Sequence, residues 1–222
     1  MTMNTKLALL ILAFAAGAPS ARADVVSFDA MAVDKPPEGF SIALTGSGSR
    51  PIWLVKQAPD AASGRIVVQT SADAVDNRFP LLVRDGVHGA DVDLSVRFQP
   101  VSGKIDQAAG LVWRYRDASN YYLARANALE GNVVAYMVKD GRRIDLPLRG
   151  KGRTYGAAAP VAKTGWNTLA VSMRGDVFSV SFDGAVLYEV EDKTFRAAGG
   201  IGLWTKADSV IMFDDFTWTV VK

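Results

Sequence analysis

Residues 91–98, Asp-Val-Asp-Leu-Ser-Val-Arg-Phe, put Val92, Leu94, Val96 and Phe98 on one side of an extended chain and Asp91, Asp93, Ser95 and Arg97 on the other. Side chains alternate across a strand with a period of two, so this segment buries a single apolar face only as a β-strand. The same rhythm returns in Phe178, Val180 and Phe182 against Ser179 and Ser181, and in Phe216, Trp218 and Val220 against Thr217 and Thr219. Beyond residue 23 no segment sustains the period of a helix. Asp140-Gly141, Gly175-Asp176 and Asp183-Gly184 punctuate the apolar runs. These dipeptides suit the two-residue primed turns whose twist matches that of paired strands. About a dozen strands at roughly 8–12-residue spacing predict an all-β, two-sheet antiparallel sandwich.

The first 23 residues are read apart. Lys6 precedes an apolar run at 7–16, and Ala21-Arg22-Ala23 follows. This is the pattern of a secretory signal peptide with an A-x-A site, cleaved before Asp24. The run is shorter than the roughly 20 residues of a membrane span. Export to a bacterial periplasm or beyond is expected, and a chain with no cysteine then relies on its core without disulfides. Without Lys6 and Arg22 the basic residues fall from 25 to 23, equal to the 23 acidic ones. A neutral surface gives no reason to expect nucleic acid or anionic lipid as partner. Residues 24–222 have the length of one all-β domain. Gly, Pro, Ser and Asp gather in loops at 33–39, 46–51, 58–64 and 150–162, the last long enough to arch over a face of the sandwich.

Residues 110–143 read as a three-stranded meander with two arginines inside the strands. A buried arginine without a partner is very unfavourable, so Arg114 and Arg125 are expected on a wet face. With Leu111, Trp113 and Tyr115 inward, Val112, Arg114 and Arg116 face out; on the next strand Tyr122, Ala124 and Ala126 point in, and Tyr121, Leu123, Arg125 and Asn127 out. Arg114 then neighbours Arg125. The two guanidiniums repel unless Glu130 or Asp208 sits between them or a ligand supplies oxygens. An ion-pair lattice and a ligand site both satisfy this pattern. A sugar face also needs aromatic rings for the pyranose C–H groups beside polar groups for its hydroxyls. Tyr136, and Trp204 with Lys206, are the candidates, although a large aromatic residue in a sandwich more often belongs to the core. Trp113, Trp166 and Trp218 are assigned to the core and Trp53 is left open.

One histidine and no cysteine exclude a cysteine nucleophile and a two-histidine metal site. His88 lies in a turn at 84–89 without a Gly-x-Ser-x-Gly elbow, so no serine triad is expected. A carboxylate pair, Glu130 with Asp117 or Asp208, is the remaining catalytic set, and the spacing does not fix its separation. Asp214-Asp215 could join Asp29 and backbone carbonyls in a calcium cage; the alternative is that Asp215 caps or pairs with a neighbouring lysine. No EF-hand, phosphate loop or dinucleotide fingerprint is present.

The segments GLVWRYRDASNYYLARAN, Gly-Trp-Asn-Thr-Leu-Ala-Val at 165–171, VSFDGAVLYEV, and GGIGLWTKADSVIMFDDF at 199–216 occur in that order. Together they resemble the concanavalin A-like lectin/glucanase superfamily from Phe40 to the C-terminus, and within it laminin-G-like domains and 3-keto-disaccharide hydrolases. The resemblance implies a jelly-roll sandwich of two curved antiparallel sheets with a glycan-binding concave face. The Glu-x-Asp-x-x-Glu strand of the laminarinase-like enzymes is missing, and residues 189–192 are the nearest approach. Fold membership alone does not establish activity. The expected function is a secreted module binding a carbohydrate or polyol on the concave sheet through Arg114, Arg125, Asn127, Tyr136, Trp204 and Lys206. The alternatives are a glycoside hydrolase using Glu130 or Asp208, and an adhesive laminin-G-like domain.

Overall fold

In the computed structural model, which describes residues 23–58 and 64–221, the chain is all-β. The expected leader, Ala23 apart, lies outside the described residues. Sixteen strands follow one another among them, more than the dozen expected: β1 (Asp24–Val26), β2 (Phe40–Gly46), β3 (Trp53–Gln57), β4 (Arg65–Gln69), β5 (Arg78–Arg84), β6 (Asp91–Ser102), β7 (Ala108–Asp117), β8 (Asn120–Asn127), β9 (Asn132–Lys139), β10 (Arg142–Asp145), β11 (Ala157–Ala158), β12 (Asn167–Arg174), β13 (Val177–Phe182), β14 (Ala185–Glu191), β15 (Gly200–Thr205) and β16 (Val210–Val221). One sheet has the order β14-β13-β12-β6-β16-β4-β3, with β1 paired to β16; the other runs β10-β9-β8-β7-β15-β5-β2, with β11 paired to β9. No helix among the described residues is long and apolar enough to cross a membrane.

The inward faces follow the period-two pattern. Val92, Leu94, Val96 and Phe98 of β6 meet Leu111 and Trp113 of β7 and Tyr122, Ala124 and Ala126 of β8 in one core. Phe178 is held between Trp113 at 5.4 Å and Tyr122 at 4.8 Å between ring centroids, contacts worth about 0.5–1.5 kcal/mol each beyond their buried area. Trp53 and Trp218 also belong to this core. Trp166 does not. It is half-buried on the other face of the first sheet and carries the Arg97 guanidinium at 4.7 Å from its ring. At Asp140-Gly141 and Asp183-Gly184 both central residues have positive φ (50° and 75°; 47° and 81°), as a type I′ hairpin requires.

The second sheet is rolled. The Tyr121 hydroxyl on β8 meets Thr45 Oγ1 on β2 at 2.8 Å, although β7, β15 and β5 lie between the two strands in the sheet. Thr45 Oγ1 also donates to the carbonyl of Ala118, and Arg143 on β10 reaches the Phe79 ring on β5 at 4.8 Å. The concave wall therefore packs on itself, and Leu81, Val112, Leu123 and Val134 form a second apolar layer outside the main core. A bulge on β7 accompanies this curvature. The register shifts between Trp113 and Asp117, and Arg114 has φ 46°. Bulges increase local twist and re-aim side chains.

The bulge corrects the expected direction of the arginine before it. Arg114 does not face the concave side; it turns inward, with its guanidinium over Phe178 at 5.7 Å. Tyr115 takes the concave side instead and stands 5.9 Å from Tyr121. Arg125 lies opposite Gly110, not beside Arg114. Nor are the two arginines wet: they are 2% and 1% exposed, and protein oxygens take the Nε and both terminal nitrogens of Arg114 and both terminal nitrogens of Arg125.

Candidate functional site

The site is built from the end of the β8–β9 hairpin outward. Alternation on β8 sends Arg125 and Asn127 to the concave side, and on β9 it sends Asn132, Val134 and Tyr136 to the same side. Gly110, opposite Arg125, leaves room for Trp204 from the next strand, since a Cβ there would lie 3.2 Å from Trp204 Cε3. Arg125 Nη2 donates to Glu130 Oε2 at 2.7 Å and reaches the hydroxyls of Tyr155 at 3.1 Å and Tyr136 at 3.2 Å. Its Nη1 donates to Asn132 Oδ1 at 2.5 Å. Asn127 Nδ2 donates to Glu130 Oε1 at 2.9 Å and Asp106 Oδ1 at 2.5 Å, and Lys206 Nζ donates to Asp106 Oδ2 at 2.6 Å and to Asp76. One continuous polar network thus runs from Lys206 to Tyr155.

Its charges are fixed. Burial opposes the charge on Arg125, but the Glu130 carboxylate, together with the Tyr136 hydroxyl that accepts from Nη2, outweighs it and holds the pKa above the ordinary value. Burial also pushes the Glu130 carboxyl up; Arg125 and Asn132 prevail and keep it below the usual carboxylate range. For Lys206 the carboxylates of Asp106 and Asp76 outweigh burial and raise the pKa. Burial raises the Tyr136 phenol, so it stays protonated as a donor. The outer rim is open. Tyr155 is 52% exposed and the Glu130 side chain 38%.

Of the residues expected from sequence, Arg125, Asn127, Glu130, Tyr136 and Lys206 come together in this network. Trp204 lies beside it, but as floor. Its ring is fully buried and stacked on Phe79 at 5.5 Å and 18°, so it offers no face to a sugar. Arg114 is absent from the network for the reason given above. Asp208 is also elsewhere, in the β15–β16 turn. Its carboxylate accepts the backbone N–H groups of Lys104 at 2.7 Å, Ile105 at 3.1 Å and Asp106 at 3.1 Å. Burial acts to raise its pKa and those three donors bring it down further. Sequence reasoning missed Tyr155, Asn132 and Asp106. Tyr155, as the one aromatic residue in the loop at 150–162, carried the clearest signal.

The residues named for calcium do not form a cage. Asp29 Oδ1 accepts the Arg65 N–H at 2.7 Å, Asp215 pairs with Arg97 at 3.1 Å, and Asp214 accepts the Asp215 N–H at 2.8 Å. The partner of Asp215 is thus an arginine where a lysine was the alternative. Among the described residues no three acidic, histidine or cysteine side chains are grouped to hold a metal. Asp214 is instead a destabilising acid. Burial, reinforced by the charges of Asp215 and Asp29, raises its pKa from 3.8 to about 6. The folded state then binds this proton more tightly than the unfolded chain, so stability falls as pH rises from about 4 to about 6. Asp214→Asn is expected to stabilise the protein by about 1–2 kcal/mol above pH 6.5 and by nothing near pH 3.5. Urea unfolding at the two pH values checks this, and equal gains at both would refute it.

No protein-family model matches the chain, and no curated protein matches it. Solved structures do. The chain is similar to carbohydrate-binding module CBM66 from Bacillus subtilis, with 19% identity and a TM-score of 0.58 over 75% of this chain and 94% of that one. It is also similar to domain 4 of AbnA, an extracellular arabinanase from Geobacillus stearothermophilus, solved in complex with arabinotriose; here identity is 14% and the TM-score 0.53 over 89% and 93% of the two chains. At such identities the likeness speaks for the architecture, and the architecture is a two-sheet antiparallel jelly-roll sandwich.

Proposed function

We propose that the protein is an exported carbohydrate-binding module that holds its ligand at the rim of the rolled sheet. The observation that carries this reading is the half-exposed Tyr155 ring beside the ionised Glu130 carboxylate and the Asn132 amide, all tied to the one buried Arg125. A ring face stacks on the C–H groups of a sugar, and a carboxylate and an amide take its hydroxyls. Arg125, Tyr136 and Asn127 hold these groups in place, and Lys206 anchors the far end of the network. The likeness to a carbohydrate-binding module and to a domain bound to arabinotriose supports the same ligand class. Export rests on the leader pattern at 1–23.

Binding is favoured over hydrolysis on the protonation states. Glycoside hydrolysis needs a carboxylic acid that keeps its proton near neutral pH. Glu130 and Asp208 are both held below the usual range, and Asp208 is occupied by main-chain donors. A glycan array covering arabinans, xylans, β-glucans and uronans, followed by calorimetry, tests the reading. Tyr155→Ala is expected to weaken the best ligand roughly tenfold, about 1.4 kcal/mol, with the melting temperature little changed. Absence of binding by the wild type across the array, or unchanged affinity in Tyr155→Ala, would overturn it. Turnover of a 3-keto-disaccharide by the purified protein would favour the hydrolase instead.

A further inference from the structure

We infer that the saccharide taken by this site is acidic, a uronate whose carboxylate docks on Arg143. The inference rests on the rim being a glycan site and adds the chemical class of the glycan. Alternation on β10 places Arg143 opposite Val138 and over the concave wall. Its guanidinium lies 4.6 Å from the Tyr136 ring centroid, 4.8 Å from Phe79 and 5.8 Å from Trp204. Rings cover the faces of a guanidinium and leave its edge of N–H donors free.

Nothing among the described residues meets that edge. Each neighbouring carboxylate is engaged by another cation: Glu130 by Arg125, Asp145 by Arg153 at 2.8 Å, Asp106 and Asp76 by Lys206. Arg143 Nη1 is buried and has no hydrogen-bond partner. The same concave wall holds two more buried donors without partners, Nε of the 1%-exposed Arg125 and Nε1 of the fully buried Trp204. The Trp204 N–H faces the Tyr121 hydroxyl without forming a bond of good geometry. Of these three side chains only Arg143 is half-buried rather than buried, so it alone is within reach of a ligand. A planar carboxylate matches the Nε–Nη2 side of the guanidinium, which is not buried as Nη1 is, with two parallel bonds.

Glu130 narrows the class further. Ionised and 38% exposed at the rim, it repels a densely charged polyanion but accepts hydroxyl protons. The chemistry that satisfies both ends is one carboxylate together with several hydroxyls, as in a hexuronate.

The test is calorimetric titration of the full chain with trisaccharides that carry a single galacturonate, mannuronate or glucuronate among neutral sugars, each beside its methyl ester. At least one acid is expected to bind tenfold or more tighter than its ester, and that advantage should shrink as salt is raised. Arg143→Gln should abolish the advantage, so that acid and ester bind alike. Arg143→Lys, which keeps the charge but not the fork, should restore only part of it. If no acid exceeds its ester, or if the advantage survives in Arg143→Gln, the inference fails. Should the esters or the neutral glycans of the array bind and the acids not, the acidic class falls and the glycan site stands. Silence from every saccharide removes both.

Discussion

Replacing Arg114 with methionine lowers the stability of the folded protein by about 3–5 kcal/mol, the largest single effect expected in this chain. The side chain is 2% exposed and ties three connections to one point. Nε donates to Ala90 O at 3.0 Å, Nη1 to Phe195 O at 2.6 Å and Nη2 to Gly175 O at 2.5 Å, with the Asp91 carboxylate 3.6 Å away. Methionine fills most of the volume over Phe178 but leaves those carbonyls without a donor, and each costs about 1–3 kcal/mol if water cannot replace it. The backbone adds a second constraint. Arg114 sits at φ 46°, and a Cβ on Gly199 would come within 2.5 Å of its carbonyl carbon, so the bulge depends on glycine opposite. Urea unfolding should show a lower midpoint at an unchanged slope. A loss below about 1 kcal/mol would mean that solvent reaches the carbonyls and that the arginine is not the clamp described.

Lys206→Met comes second, at about 3 kcal/mol or more. The lysine has two carboxylate partners of unequal weight. Asp76 has a side chain 77% exposed, and a pair of that kind contributes about 0–1 kcal/mol. Asp106 is 2% exposed and keeps only the Asn127 amide when the ammonium is gone. An uncompensated buried carboxylate is what makes the substitution severe. The double variant Lys206→Met/Asp106→Asn should therefore recover most of the loss, a coupling of about 2 kcal/mol in a double-mutant cycle. Additive losses would show that the two side chains act independently. Because Asn127 links Asp106 to Glu130, the single variant should also weaken glycan binding more than its stability loss explains.

The inner faces were legible from sequence because burial and alternation coincide. Val92 to Phe98, Phe178 to Phe182, and Tyr122 to Ala126 each reach the core that period two assigns them. The nucleus of the candidate site was legible too, since Arg125, Asn127 and Glu130 lie within one hairpin and local geometry brings them together. Arg114 was misread for two reasons. A bulge shifts the register by residues that leave no mark in the hydrophobic pattern, and the acceptors that satisfy a buried guanidinium are main-chain oxygens, which a list of side chains does not display. Tyr155 arrives from a loop whose path is set by the Gly156 turn against Val133 and by the β11 pairing, neither of which follows from periodicity.

The strand β16 sits between β6 and β4 and also receives β1. The strand that joins β6 to β4 is thus far along the chain from β3 and β4. Until β16 is in place, β6 has no neighbour on one flank and the β3–β4 hairpin has nothing to join. Such distant pairings close slowly. Pairings such as Ile211 with Gln69 accordingly place closure of the first sheet late in folding.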